Sequence, residues 1–305
     1  MSVQAWLVRR KIRAAFRPKQ SRSGSEEDRL RHFDRTLTAM EDRLPGAPAD
    51  ATVETVNDNG VRGDWIFVPG ARDDRILLYS HGGGYVWGSP KNYHDLGARL
   101  SRALKARVFL LDYRLAPKHK CPAAVDDALA AYAFIRNAYP QAKIGLCGDS
   151  AGGGLALAST LLLKEAEQVQ PVAVGLISPW LDVSGSGASI ETNKHKEVML
   201  EADGIAVAGK LYRGDMPADD PRCSPLFGDH DGMPPILAQV GSEEILLSDS
   251  VRLAEKVRAA GGEIQLDVWP KMHHVWHMSA GIVPEGKKAI EQMAAFFEQH
   301  WGNGK

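Results

Sequence analysis

The chain has 305 residues, 44% hydrophobic and 25% charged, with a formal net charge of −1, which is the balance of a packed globular protein and far from disordered or fibrous extremes. Without a broad basic excess there is no footprint for neutralising phosphates, so nucleic acid falls away as a partner. The length suits one large α/β core with an elaboration.

From residue 1 to about 45 the chain reads as helical and charged, stopping where Pro45, Gly46 and Pro48 break the pattern. Arg9, Arg10, Lys11, Arg13, Arg17, Lys19 and Arg22 all precede the first acidic residue. Such a cluster fits a solvated helix face first and membrane-surface contact second. No stretch approaches the about 18 apolar residues of a membrane span, and no apolar signal core or cleavage site follows the basic residues. Arg9-Arg10 runs into Lys11 and Arg13, against a twin-arginine export signal. The cysteines Cys121, Cys147 and Cys223 are widely spaced with no C-x-x-C, which argues against a zinc site or disulfide framework and for a reducing, cytoplasmic compartment.

Short apolar runs then follow at 52–56, 65–68, 76–80, 108–112, 144–147, 172–177, 236–240 and 264–269, and each is a candidate strand. Helical stretches at 93–104, 123–138, 151–167, 250–260 and 287–300 fall between or after them. Alternation of this kind predicts an α/β fold with parallel crossovers and helices on both faces of the sheet. The continuously apolar runs at 76–79 and 108–111 fit strands buried on both sides, and Asn59-Gly60 predicts an antiparallel hairpin between the first two. The segment from Asp182 to Met233 is too long for an unstructured loop in a compact domain. With its helical stretch near 201–212 it reads as an inserted lid. The expected division is N-terminal helices over 1–48, an α/β domain over 49–184 and 222–305, and an inserted segment over 185–221.

Gly148-Asp149-Ser150-Ala151-Gly152 matches G-x-S-x-G, and its context gives the match weight. The run at 144–147 precedes it and an apolar helical stretch follows, which is the strand, tight turn and helix of a nucleophile elbow. His81-Gly82-Gly83-Gly84 follows the run at 76–80 and is the sharper motif, because it arises by chance far less often than G-x-S-x-G, and its glycine N–H groups can point at a developing oxyanion without side-chain obstruction. The donors expected are Gly83, Gly84 and Ala151, with Gly82 a further candidate. A phosphate loop would need G-x-x-x-x-G-K-[ST] or G-x-G-x-x-G in register, and neither is present. His81 reads as a structural residue of the loop.

With these two motifs the chain resembles the hormone-sensitive-lipase-like carboxylesterases, in the bacterial branch carrying G-D-S-A-G. Asp112-Tyr-Arg-Leu-Ala-Pro117, Pro122-Ala-Ala-Val-Asp-Asp127, Ser178-Pro-Trp-Leu-Asp182, Ser224-Pro-Leu226 and Met272-His-His-Val275 stand in that family's order, so the resemblance spans about 50–300. It implies an eight-stranded α/β-hydrolase fold with a helical cap, and hydrolysis of short- to medium-chain acyl esters without a cofactor, often by homodimers. Lys118 departs from the acidic residue usual after the D-Y-R-L-A-P run.

A serine hydroxyl needs a histidine to take its proton and a carboxylate to orient that histidine, in the chain order Ser, acid, His. Glu243, just past the run at 236–240, stands where the family pattern most often has Asp and is the expected acid, with Glu244 and Asp249 as rivals. Asp249 also suits a helix N-cap. The resemblance picks His274 as base, with His273 and His277 as loop or rim residues; a zinc site is the weaker reading of the cluster. Tyr85, Trp87, Trp180 and Leu181 are expected to line the substrate cleft. An amidase or deacetylase would use the same groups, whereas a non-catalytic receptor on this fold would be expected to lose a triad member.

Overall fold

A computed structural model describes residues 1–17 and 44–302 together with positions 31, 35, 38 and 39. The remainder of the helical region expected over 1–45, including Lys19 and Arg22, lies outside the described residues. Eight strands among the described residues form one sheet: β1 (Thr52–Asp58), β2 (Val61–Phe67), β3 (Arg72–Ser80), β4 (Ala106–Leu111), β5 (Lys143–Asp149), β6 (Val174–Ile177), β7 (Ile236–Gly241) and β8 (Ile264–Trp269). The helices are α1 (Val3–Phe16), α2 (His94–Leu104), α3 (Ala123–Ala138), α4 (Ala151–Glu165), the single turn α5 (Ser189–Thr192), α6 (Ala202–Arg213), α7 (Leu247–Ala259) and α8 (Pro284–Trp301).

The spatial order is β1-β2-β4-β3-β5-β6-β7-β8. β2 runs antiparallel to both β1 and β4, and the remaining pairs are parallel. The hairpin turns at Asn59 and Gly60, whose φ values of 49° and 86° are the two positive angles such a turn requires. β2 begins at Val61, earlier than its apolar run at 65–68, because it alternates near the sheet edge, with Arg62 exposed and Val61 and Gly63 buried.

Alternate residues on the central strands feed two cores, as the period of two dictates. Ile76, Leu78, Phe109, Leu111, Ile144 and Leu146 face α3, α4 and α7. Leu77, Tyr79, Val108, Leu110 and Cys147 face α2 and α8. On this second face Gly145 lets the Phe297 ring lie directly on β5, where any Cβ would overlap it.

The chain leaves β3 for β4 on one side and returns to β5 on the other, so strand order reverses between β3 and β5. The loops at the carboxyl ends of these strands diverge there and open a crevice, the usual place for a ligand in a parallel sheet. The His81–Gly84 loop follows β3, and Ser150 follows β5.

Candidate active site

Ser150 sits between β5 and α4 with φ 53° and ψ −121°, a conformation that L-residues rarely adopt. Its N–H donates to Ile177 O at 2.9 Å, and its carbonyl accepts from Gly153 N at 3.1 Å and Trp180 N at 2.9 Å. The turn is therefore held from β6 and from α4 at once. The glycines around it are required sterically: a Cβ on Gly148 would overlap Gly152 O, and one on Gly152 would overlap Ser80 O. The hydroxyl consequently stands at the positive end of α4.

In the glycine loop, Gly83 and Gly84 have φ of 109° and 64°. Gly83 O accepts from Val86 N and Trp87 N, each at 3.1 Å, which closes the loop. Among the described residues the N–H groups of Gly83, Gly84 and Ala151 donate to no protein acceptor. Gly82 differs from this set. Its N–H donates to Asp149 Oδ1 and to Tyr93 Oη, both at 3.0 Å, so it is committed to the protein and drops out as an oxyanion donor.

His81 is structural, as its place before the glycines implied. Its ring stacks on Tyr113 at 4.2 Å, and Nδ1 lies 2.7 Å from Gly82 O, which makes Nδ1 the protonated nitrogen. Burial lowers its pKa to about 4, partly opposed by that bond.

The carboxylate beside His274 is where expectation and structure part. His274 Nδ1 is 2.8 Å from Oε2 of Glu244, not Glu243. β7 runs to Gly241 and turns immediately, with Glu244 N donating to Gly241 O at 3.2 Å. That turn folds the Glu244 carboxylate back under the strand end, where Oε1 accepts from Ser178 Oγ at 2.8 Å and from Gly241 N. Glu243, at the outer corner of the same turn, faces α1 and pairs with Arg9. Asp249 joins neither role: α7 begins at Leu247, so Asp249 lies inside its first turn and accepts from Leu181 N at 2.8 Å and Asp182 N at 3.1 Å. Burial raises its pKa to about 7.

Burial disfavours charge on His274, but the hydrogen bond and negative charge of Glu244, joined by Glu197 and Asp149, outweigh it and hold the imidazole above its ordinary pKa. Burial likewise raises Glu244, against the His274 bond. His273 stays in the loop after β8 and His277 falls in the short turn 276–279, but both are buried rather than at a rim, and burial depresses each to a pKa of about 3. His277 Nε2 meets Gln239 Oε1 at 2.8 Å. Among the described residues no three His, Cys, Asp or Glu side chains gather as a metal cluster. Ser150 and His274 are both buried.

Of the four expected cleft residues, Trp87 alone is part-exposed. Tyr85 is buried and stacked on Tyr212 of α6 at 3.6 Å, Trp180 is buried with Nε1 donating to Asp182 O at 3.0 Å, and Leu181 is wholly buried. These three are packed in the interior, with Tyr85 held against the α6 cap. Several contributors were invisible in the sequence. Ser178 Oγ accepts from Val275 N at 3.1 Å while donating to Glu244, so it ties that carboxylate to the histidine loop. Asn193 Nδ2 donates to Glu244 O at 2.9 Å, and the buried Glu197 accepts from Val198 N and Met199 N and from Ile245 N at 3.3 Å. Asp149, the variable residue of the serine motif, anchors the glycine loop.

The model of a family described as having the alpha/beta hydrolase fold matches residues 77–278. An acetyl-hydrolase of Streptomyces hygroscopicus is 39% identical over 285 residues, 93% of each chain. The chain belongs to the α/β-hydrolase family. Among solved α/β-hydrolase-like structures, an esterase from the bacterial hormone-sensitive lipase family shares 37% identity at a TM-score of 0.88, and an esterase/lipase from an uncultured bacterium shares 34% at 0.90, each covering 99% of both chains. The resemblance to hormone-sensitive-lipase-like carboxylesterases therefore holds along the whole chain.

In this α/β-hydrolase, α1 and the segment before α6 brace the loops that carry Glu244 and His274. Arg9 pairs with Glu243 and donates to Lys271 O at 2.9 Å and Lys196 O at 2.8 Å, joining three loops. Arg9→Gln is expected to lower stability by about 1–2 kcal/mol, since several bonds from one part-buried charge are lost. It should lower kcat only a few-fold, with Arg9→Lys between the two. Urea unfolding beside steady-state kinetics checks both.

Proposed function

We propose that this chain is a serine carboxylesterase acting on short- to medium-chain acyl esters, with Ser150 as nucleophile, His274 as general base and Glu244 as the acid that orients it. The observation that carries the assignment of roles is the 2.8 Å contact between His274 Nδ1 and a fully buried Glu244, at the strand end beside the serine turn. Glu244 fixes Nδ1 as the protonated nitrogen, which leaves Nε2 free to take the Ser150 proton. Attack on the ester carbonyl forms a tetrahedral oxyanion, for which the N–H groups of Gly83, Gly84 and Ala151 and the α4 dipole supply stabilisation. His274 then protonates the departing alcohol. Water, activated by the same imidazole, releases the acid from the Ser150 acyl-enzyme.

The α6 cap meets this loop closely: a Cβ on Gly84 would lie 3.5 Å from Ala208 Cβ, and Tyr212 stacks on Tyr85. α6 thus covers the acyl side and limits water there. The division into cap segments 1–48 and 185–221 around a catalytic domain belongs to the same proposal, as do a cytoplasmic location, in keeping with the free, buried Cys121, Cys147 and Cys223, and a homodimer, by resemblance.

The test is a panel of 4-nitrophenyl acetate, butyrate and octanoate alongside the matching anilides, followed by mass spectrometry after treatment with phenylmethanesulfonyl fluoride. Ester turnover with a single adduct on Ser150 is expected; preference for anilides, or an adduct elsewhere, refutes the proposal. The pH dependence supplies a second check. His274 must be neutral to accept a proton, and its pKa is held above the ordinary 6.5. The acid limb of kcat/KM should therefore rise through a midpoint above 6.5, and that midpoint should fall in Glu244→Gln, which lacks the raising charge.

A further inference from the structure

The N-terminal helix α1 turns one side to the protein and the other to solvent. On the packed side Ala5 sits against Met272, Trp276, Val283 and Ala289. Arg9, Arg13 and Arg17 are spent on backbone carbonyls, with Arg13 reaching His195 O at 3.3 Å and Arg17 reaching Lys194 O at 2.8 Å. On the opposite side, at helical spacing, stand Val3, Trp6, Leu7, Arg10 and Lys11.

Val3 is 70% exposed, Leu7 47% and Trp6 44%. Arg10 and Lys11 are exposed as well, and the Arg10 guanidinium lies 4.8 Å from the Trp6 ring. A helix on a globular protein ordinarily turns its apolar stripe inward. Here three large apolar side chains point out, next to two cations, and α1 contains no acidic residue. A tryptophan with an apolar body and a polar edge, short aliphatics and flanking basic residues together form the face of a helix that lies in a lipid–water interface.

We propose that α1 docks this protein peripherally on an anionic lipid surface, with Val3, Trp6 and Leu7 entering the headgroup layer and Arg10 and Lys11 meeting lipid phosphates. Charge decides the surface: a face with two cations and no acid gains from anionic lipid and not from a zwitterionic one. The contact is superficial, since no helix among the described residues is long and apolar enough to cross a membrane. Through Arg9 and Glu243 the docked helix lies directly behind the loop carrying Glu244. The proposal stands on the α1 face and is independent of the ester chemistry.

The experiment is co-sedimentation of the full chain with phosphatidylcholine vesicles, with and without phosphatidylglycerol, at low and raised salt. Turnover of soluble 4-nitrophenyl butyrate is measured in parallel. Binding to the anionic vesicles alone, weakened by salt, is expected. Arg10→Gln/Lys11→Gln should lower partitioning by roughly fivefold per charge, and Trp6→Ser/Leu7→Ser by about tenfold or more, while turnover of the soluble ester stays unchanged in both. Absence of binding to anionic vesicles, equal binding to both compositions, or binding indifferent to both double variants overturns the proposal. So does light scattering in which Trp6→Ser/Leu7→Ser converts a dimer to a monomer without any vesicle binding, because the face would then belong to a second copy.

Discussion

Glu244→Gln lowers kcat on 4-nitrophenyl butyrate by about 10⁴-fold, and Glu243→Gln stays within a few-fold of wild type. The two residues are adjacent and chemically identical, so the difference isolates geometry. Glu244 is wholly buried and spends one carboxylate oxygen on His274 Nδ1 and the other on Ser178 Oγ. Glutamine keeps the volume but presents an acceptor and a donor in place of two acceptors. With its amide N–H toward the ring it forces the other imidazole tautomer, whose Nε2 carries a hydrogen and cannot accept one from Ser150. With its oxygen toward the ring it sets an amide donor against Ser178 and Gly241, and in either pose the negative charge that stabilises the imidazolium is gone. Glu243, whose side chain is 22% exposed, loses only an ion pair with Arg9. Parallel circular dichroism separates a catalytic loss from misfolding. A reversed pattern, with Glu243→Gln inactive and Glu244→Gln active, would refute the assignment.

That pair also marks the limit of what the sequence disclosed. The serine turn and the glycine loop were legible because their demands are local. Gly148 is glycine for want of space beside Gly152 O four residues on, and Gly83 and Gly84 for positive φ. The strands were legible because the central ones are buried on both faces and read as unbroken apolar runs. The acid depends instead on how a turn after β7 divides two neighbouring glutamates between inside and outside. Its outcome is fixed by partners remote in the chain, Ser178 and Asn193 on one side and Arg9 on the other. Asp249 misled for a related reason. A carboxylate near a helix start suits a cap, but α7 begins earlier and the side chain serves the backbone of Leu181 and Asp182. Tyr85, Trp180 and Leu181 lie next to the motifs in sequence, and only the packing shows that all three are buried, Tyr85 against Tyr212 of α6.

Asp149 supplies the second large effect, and its removal should separate stability from activity. Its carboxylate receives Tyr79 Oη at 2.8 Å, Tyr93 Oη at 3.1 Å and Gly82 N at 3.0 Å in a fully buried setting. Alanine would strand buried donors and free the start of the glycine loop. A loss of about 3–5 kcal/mol is expected from the unpaired groups, with a fall in kcat of about 10²-fold as the Gly83 and Gly84 donors lose alignment. Asparagine tests the charge separately. Burial raises the Asp149 carboxyl from 3.8 to about 6 although the two tyrosines, His274 and Gly82 pull it down. A carboxyl raised in the folded state contributes stability that is full below the unfolded pKa and is lost as pH rises through the folded one. The window therefore runs from about pH 4 to about pH 6, and the amount is on the order of 3 kcal/mol for a shift of this size. Asp149→Asn lacks that loss. Its stability in urea should gain on wild type by up to this amount between pH 4 and pH 7, even as its kcat stays depressed, because the amide cannot accept from three donors at once. A stability gap that does not change with pH would mean that the carboxyl titrates as it does in the unfolded chain, and that the glycine loop is held by the two tyrosines rather than by the charge between them.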